Sequence, residues 1–261
     1  MSLLLAAESE GGGLEFPSLT QLIEWPDIID PIGFNKIALI HVLSVIVPAI
    51  IFFLAARQKS LVPSGVRTVA EGAIEFVEKQ VIMQAIGPDG MKYLPVLLSY
   101  FLFVFFGNIT EVIPFFQMPA NARIAGPIVL ALISWAMYIG IGVKNHGLGY
   151  FKEVLFPPGV PPALYILVTP IELLSNFILR PFSHAVRLFA NMLAGHILLV
   201  TFGVLSITVA GMAIGWIWLE VFTFGGLVAF TAFEMFVSLI QAFVFTILAA
   251  VYIGGSLHPA H

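Results

Sequence analysis

Residues 180–196 read Arg180-Pro181-Phe182-Ser183-His184-Ala185-Val186-Arg187-Leu188-Phe189-Ala190-Asn191-Met192-Leu193-Ala194-Gly195-His196. The stretch opens a long apolar run, yet it carries a cation, an amide and an imidazole. An arginine among lipid-type residues costs roughly 2.5–3.5 kcal/mol on insertion scales. A chain keeps such a residue where it lines a polar cavity or meets a partner. The reading of Arg187 is therefore functional, and the surrounding sequence has to say what it is for.

Composition sets the class. Apolar residues make up 59% of the chain and charged residues 10%, against roughly 25% charged in soluble domains. Mean hydropathy is +1.02. Several apolar runs approach 20 residues, which reads as an all-α, polytopic membrane protein. The runs are continuous, which argues against a transmembrane barrel. With no cysteine, disulfides, thiolate metal sites and cysteine nucleophiles are excluded. Nothing in the pattern calls for a cofactor, a metal or nucleic acid.

Charge is distributed unevenly. Residues 1–35 hold six acids and no Lys or Arg, and all eleven basic residues lie between Lys36 and Arg187. The chain divides into an acidic segment, 1–35, and one polytopic helical domain, 36–261. Met1 to Ala7 is apolar but lacks the basic start of a signal peptide. The first span runs from Ile37 to Ala56, with Arg57 and Lys59 directly after it. By the positive-inside rule that end is cytoplasmic and the N-terminus external. Lys144, His146 and Lys152 follow the third span, Ile124 to Val143, and agree. Between them lie an amphipathic surface helix within Pro63 to Ile86 and a second span, Leu94 to Phe116. A Pro-rich break at 157–162 precedes an apolar stretch, Ala163 to Arg180. The last two runs are Ala185 to about Trp218 and about Val221 to Ile253. About five transmembrane helices result, with the C-terminus cytoplasmic.

The last two runs form an antiparallel hairpin. Paired positions in such a hairpin keep a constant sum of residue numbers. Arg187 with Gln241, Asn191 with Ser238, and His196 with Glu234 sum to 428, 429 and 430. One register thus serves three polar pairs, with an apex near Gly211 to Gly215. From Arg187 to Ile214 is about 40 Å of helix, while the hydrocarbon layer is about 30 Å. Holding Arg187 near mid-membrane requires a strongly tilted hairpin. His196 is nine residues from Arg187 and points to another side of the helix, so the cation and the Glu/His pair need not share a cavity.

At these residues the chain resembles a family. Arg187-Leu-Phe-Ala-Asn191-Met-x-Ala-Gly195, preceded by Arg180-Pro-Phe-Ser and followed by Gln241-Ala-Phe-Val-Phe-Thr-x-Leu, resembles subunit a of the F-type ATP synthase. Asn108-Ile-Thr-Glu111-Val-Ile-Pro114 is similar too, and the likeness covers about residues 35–255. The resemblance implies a stator that cups a ring of c subunits and carries protons through two offset half-channels. It implies b-type peripheral stalk subunits and the remainder of the ATP synthase as partners, in a bacterial plasma membrane, with ATP chemistry elsewhere. Arg187 matches the essential arginine, Gln241 the glutamine beside it and Asn191 the asparagine one turn on. Some members hold Glu at the position of His196 and His at that of Glu234, so this chain carries the exchanged arrangement. Glu234, His196 and Glu111 are then expected along the external half-channel, with Ser238 on the same face as Glu234. Glu172, Ser175 and His184 are candidates for the cytoplasmic one.

Blander readings stand beside these. His41 reads as a structural or interfacial histidine, Glu220 as a solvated turn residue, and Arg180 as a headgroup anchor. Glu111 could buttress a helix end. A secondary transporter would show repeats and paired broken helices, and an intramembrane enzyme a nucleophile–base or metal motif. Neither pattern is visible. Mild-detergent purification separates the classes: a transporter runs alone, whereas this chain is expected to travel with a c-ring and peripheral subunits.

Overall fold

The computed structural model describes residues 27–29, 34–58, 64–113, 116–157, 159–211 and 217–257. Most of the acidic segment, Lys59, Pro114, and residues 212–216 of the expected apex lie outside the described residues. A short antiparallel ribbon, β1 (Asp27–Ile29) with β2 (Phe34–Asn35), precedes the first helix.

Helix α1 (Lys36–Arg57) starts where Asn35 Oδ1 accepts from the Ala38 N–H at 3.0 Å, satisfying one orphan donor of the first turn. Helix α2 (Val66–Val77) continues through a π-turn, Glu78–Ile82, to Ala85. Its buried face carries Ala70, Val77, Val81 and Ile82. Its outer face carries Arg67 with Glu71 and Lys79 with Glu75 as ion pairs one turn apart. This amphipathic helix packs against the bundle, with Val69 left exposed.

Helix α3 (Leu94–Ile109) stops earlier than the apolar run suggests. Thr110 Oγ1 lies 2.8 Å from Gly107 O and 3.0 Å from Met118 O and shares its proton between them. That interaction turns the chain back into the bundle. Residues 118–122, between the second and third expected spans, are all buried, and they plug the space between α1, α3 and the next helix. Helix α4 (Ala125–His146) and the short α5 (Gly149–Leu155) follow.

The two stretches expected on either side of residues 180–185 are one unbroken helical run, Pro162–Ala210. It comprises α6 (Tyr165–Leu174), a π-turn at Ser175–Leu179 and α7 (Arg180–Ala210). Pro181 cannot donate into a regular helix, and the π-turn just before it absorbs the local mismatch without ending the run. Trp218 belongs to the start of α8 (Ile217–Leu257) and not to the close of the first arm. Among the described residues, five helical runs are long and apolar enough to cross a membrane, as the expected all-α membrane class requires.

The core forms where α3 meets α8. Leu97, Tyr100, Phe101 and Val104 pack on Ala242, Phe245, Ala249 and Ile253, joined by Leu188 and Met192 of α7 and Val77 of α2. Small residues on α8 let the two backbones approach. At the other end of α8, Tyr150 and Ser256 hydroxyls lie 3.0 Å apart, and His146 Nε2 sits 3.2 Å from Leu257 O. The end of α8 is thereby fixed beside the end of α4.

A Cβ at Gly254 would lie 2.7 Å from Ala85 O, whereas one at Gly72 meets nothing within 4 Å. Backbone cannot yield as a side chain does. Gly254→Ala is expected to destabilise the detergent-solubilised protein by about 1–3 kcal/mol, read by thermal unfolding. Gly72→Ala, the same chemical change, is expected to have no such cost.

Candidate functional site

The hairpin register holds along its length. Gly195 faces Glu234 so closely that a Cβ there would collide with the carboxylate. Phe202 packs against Phe230 with ring centroids 4.8 Å apart and tilted by 40°, and covers Gly226. Ser206 donates to Glu220 at 3.1 Å near the tip. Glu220 is thus tied to the first arm and is not merely solvated. Toward the other end, His184 meets Phe245 edge-on at 3.9 Å, and the Arg180 guanidinium lies 5.3 Å over Tyr252.

Arg187 is exposed on α7. It borders a narrow crevice with His184, Leu188, Gln241, Phe245 and Leu248, so the expected neighbourhood of Arg187 and Gln241 is present. No acid or acceptor among the described residues pairs with it. Ser183, Ala190, Asn191 and Ala194 share its exposed face, one or two turns away at helical spacing. Small side chains there leave the guanidinium the tallest feature of the stripe.

The acids gather elsewhere. His196 Nδ1 lies 3.4 Å from Glu111 Oε1, with both side chains almost fully buried. Glu234 reaches across Gly195 toward the same place and is 3% exposed. Two acids and one imidazole from α3's end, α7 and α8 therefore converge. Ser238 is fully buried one turn from Glu234, and its Oγ has no partner. Asn191 and Ser238, expected side by side, do not join: Asn191 turns to the exposed stripe while Ser238 turns inward. The helix phase explains it, since Asn191 is one turn from exposed Arg187 and not from buried His196.

His184 is buried, with its ring held against Phe245 and Tyr252 and its Nε2 unpartnered. Glu172 and Ser175 are half-buried at the π-turn. Asn176 Nδ2 donates to Glu172 O and Glu172 Oε2, each at 2.8 Å, and Asn176 O accepts from Tyr138 at 2.8 Å. Glu172 and Asn176 stand one turn apart, at the spacing that brings side chains together on a helix face. These groups lie on the far side of Arg187 from Glu111, His196 and Glu234.

A family profile described as ATP synthase A chain matches residues 37–254. ATP synthase subunit a of Frankia alni is 40% identical over 245 residues, covering 87% of this chain and 79% of that one. The subunit a of Pseudarthrobacter chlorophenolicus is 40% identical, covering 87% and 86%. That of Paenarthrobacter aurescens is 37% identical over 99% and 98% of the two chains. This chain belongs to the ATP synthase subunit a family.

Within that family frame, the sequence reading placed Glu111, His196 and Glu234 together but missed the pairing of Glu111 with His196. It also missed Asn121, which is fully buried and donates from Nδ2 to Asn108 Oδ1 at 2.7 Å. A polar residue in a short loop gives no periodic signal, so its burial could not be read.

Removing either member of the Glu111–His196 pair leaves the other buried without its partner. Glu111→Gln and His196→Gln are each expected to destabilise, and the double variant by less than the two together. A coupling of about 0.5–3 kcal/mol in a thermal-unfolding double-mutant cycle is the expected result.

Proposed function

We propose that this chain is the proton-translocating stator subunit of a rotary F-type ATP synthase, facing a ring of c subunits. The observation that carries the reading is Arg187. It is an exposed cation on an apolar hairpin with no counter-charge among the described residues, separated from a buried cluster of two acids and an imidazole. Subunit a membership supplies the complex, a membrane-embedded ATP synthase.

Arg187 meets each ring carboxylate as it arrives. A guanidinium 4 Å from a carboxylate attracts it by about 4 kcal/mol at an effective dielectric of 20. That favours the ionised carboxylate and drives its proton off. The same fixed charge repels a proton travelling straight from one half-channel to the other. Gln241, bordering the same crevice, orients the guanidinium without neutralising it.

Glu111, His196 and Glu234 line the external half-channel, with Ser238 below them. Glu172, Ser175 and His184 line the cytoplasmic one. The N-terminus is external and the C-terminus cytoplasmic, because Arg57, Lys144, His146 and Lys152 all follow odd-numbered spans and five spans put the ends on opposite sides. The bacterial plasma membrane is the setting. Neighbouring subunits are the c-ring and b-type peripheral stalk subunits, and nucleotide chemistry belongs to the rest of the complex.

The hairpin is strongly tilted. From Ser256, beside the end of α4, to Glu234, beside the end of α3, is already about 33 Å of helix. Ile217 to Phe233 continues beyond the other helices, with Trp218, Phe222, Val228 and Phe233 exposed. Those side chains stay in lipid only if the hairpin leans.

In the assembled complex in vesicles, Arg187→Gln is expected to cut ATP-coupled proton flux by roughly 100-fold or more, while Arg180→Gln retains most of it. Glu234→Gln is expected to reduce flux, and an unchanged rate removes it from the pathway. Flux is read by a pH-sensitive dye alongside ATP synthesis. Arg187→Gln running at the parent rate would overturn the reading.

A further inference from the structure

A second buried polar cluster stands apart from Arg187, where α1, the end of α3, the plug and the start of α4 meet. His41 Nδ1 lies 2.9 Å from Ile37 O. A carbonyl only accepts, so Nδ1 is the donor and Nε2 is the ring's free proton-accepting position. Nε2 is buried and has no partner among the described residues. It is not aimed at lipid. A Cβ at Gly126 would lie 2.9 Å from His41 Nε2 and 3.5 Å from Asn121 Oδ1. The two atoms therefore converge over a residue with no side chain to separate them. Asn121 Oδ1 is itself buried without a partner.

The cluster runs on from there. Asn121 Nδ2 donates to Asn108 Oδ1 at 2.7 Å, and Asn108 Nδ2 is again buried without a partner. Both asparagines are fully buried. Asn108 O accepts the backbone N–H of Glu111 at 3.1 Å, which sets Asn108 one turn from the acid that faces His196. A succession of unpartnered polar atoms thus leads from the first span to the acid cluster. Buried polar groups are ordinarily satisfied. Three such atoms on consecutive neighbours, spaced from His41 to Glu111, are unusual for a packing role. An ordinary structural histidine would have both nitrogens engaged.

We propose that His41, Asn121 and Asn108 form the intake limb of the external half-channel. His41 Nε2 binds a proton arriving from the external phase, keeping the Nδ1–H bond to Ile37. Asn121 Oδ1 faces that Nε2–H. The proton leaves Nε2 again, carried by water held between the two amides, to the Glu111–His196 pair. The amide N–H bonds stay intact, so Asn121 and Asn108 position the water and His41 alone changes protonation. The remaining ionisable groups on these elements at this end are Lys36 on α1, Glu111 after α3 and Arg123 after the plug. This limb rests on the reading that Glu111, His196 and Glu234 belong to the external half-channel.

The test uses the whole ATP synthase in vesicles, with ATP synthesis followed while the external pH is varied. His41→Gln keeps a donor for Ile37 O but cannot accept and release a proton. It is expected to lower the rate by roughly 10- to 100-fold at alkaline external pH, with recovery as the external phase is acidified. Asn121→Leu is expected to lower the rate with a weaker pH dependence. A defect in packing alone would lower the rate equally at every external pH, and that result overturns the proposal. So does an assembled His41→Gln complex that matches the parent throughout. If His41→Gln does not assemble, Gly126→Ala carries the same test, because it retains His41 and crowds its Nε2. Glu234→Gln separates the two levels. If Glu234→Gln stops flux while His41→Gln and Asn121→Leu do not change it, only the intake limb fails. If Glu234→Gln leaves flux unchanged, the half-channel reading fails and the limb with it.

Discussion

A positive charge on an apolar helix has to be compensated, and among the described residues nothing compensates this one. Arg187 is exposed, and the groups bordering its crevice are a neutral amide, an imidazole and apolar side chains. An acid in place of Gln241 would neutralise it internally and leave a salt bridge with no task. Arginine is suited to the position because it stays protonated and presents a planar fork of donors. On the proposed reading the missing counter-charge is delivered from outside and removed again, once for each passing ring carboxylate. The stripe of Ser183, Ala190, Asn191 and Ala194 then matters for what it lacks. Bulky side chains there would hold a partner helix away from the guanidinium.

The same constraint explains why the acids are on another face. Glu111, His196 and Glu234 are buried between α3, α7 and α8, where they cannot reach Arg187. Gly195 makes the arrangement possible, since any side chain there would displace the Glu234 carboxylate. Gly226 does the same further along, beneath Phe202. Away from the Ser206–Glu220 bond near the tip, such close approaches are what bring the two arms together.

Much of this was legible in the sequence because the relevant signals are periodic or additive. Continuous apolar runs gave the helices, and constant index sums gave the hairpin register that Phe202 with Phe230 and Gly195 with Glu234 follow in the structure. Other features depended on tertiary contacts. The end of α3 is set by Thr110 reaching Met118 across a turn, which no run length encodes. The unbroken passage through Pro181 depends on a π-turn whose presence is an accommodation and not a propensity. Asn191 was paired with Ser238 by arithmetic, but index sums fix axial level and say nothing of helix phase. Asn121 and His41 were out of reach because their neighbours come from four different elements.

Helix length links these parts into one device. Helix α8, at 41 residues, is about 61 Å long, roughly twice the hydrocarbon thickness. Its last part crosses the bundle beside α3 and α4, and its first part runs on with the upper arm of α7. If the hairpin leans to keep that part in lipid, groups separated along its axis become separated sideways as well. Glu234 and Gln241 lie about 10 Å apart along α8, and Glu172 lies further off beyond Arg187. Tilt turns this axial order into a lateral offset. On the proposed reading, two vestibules opening to opposite sides then never face each other, and the Arg187 guanidinium occupies the interval between them. A ring carboxylate would then pass from one to the other only by moving past it, and the proposed mechanism needs the long hairpin and the cation together.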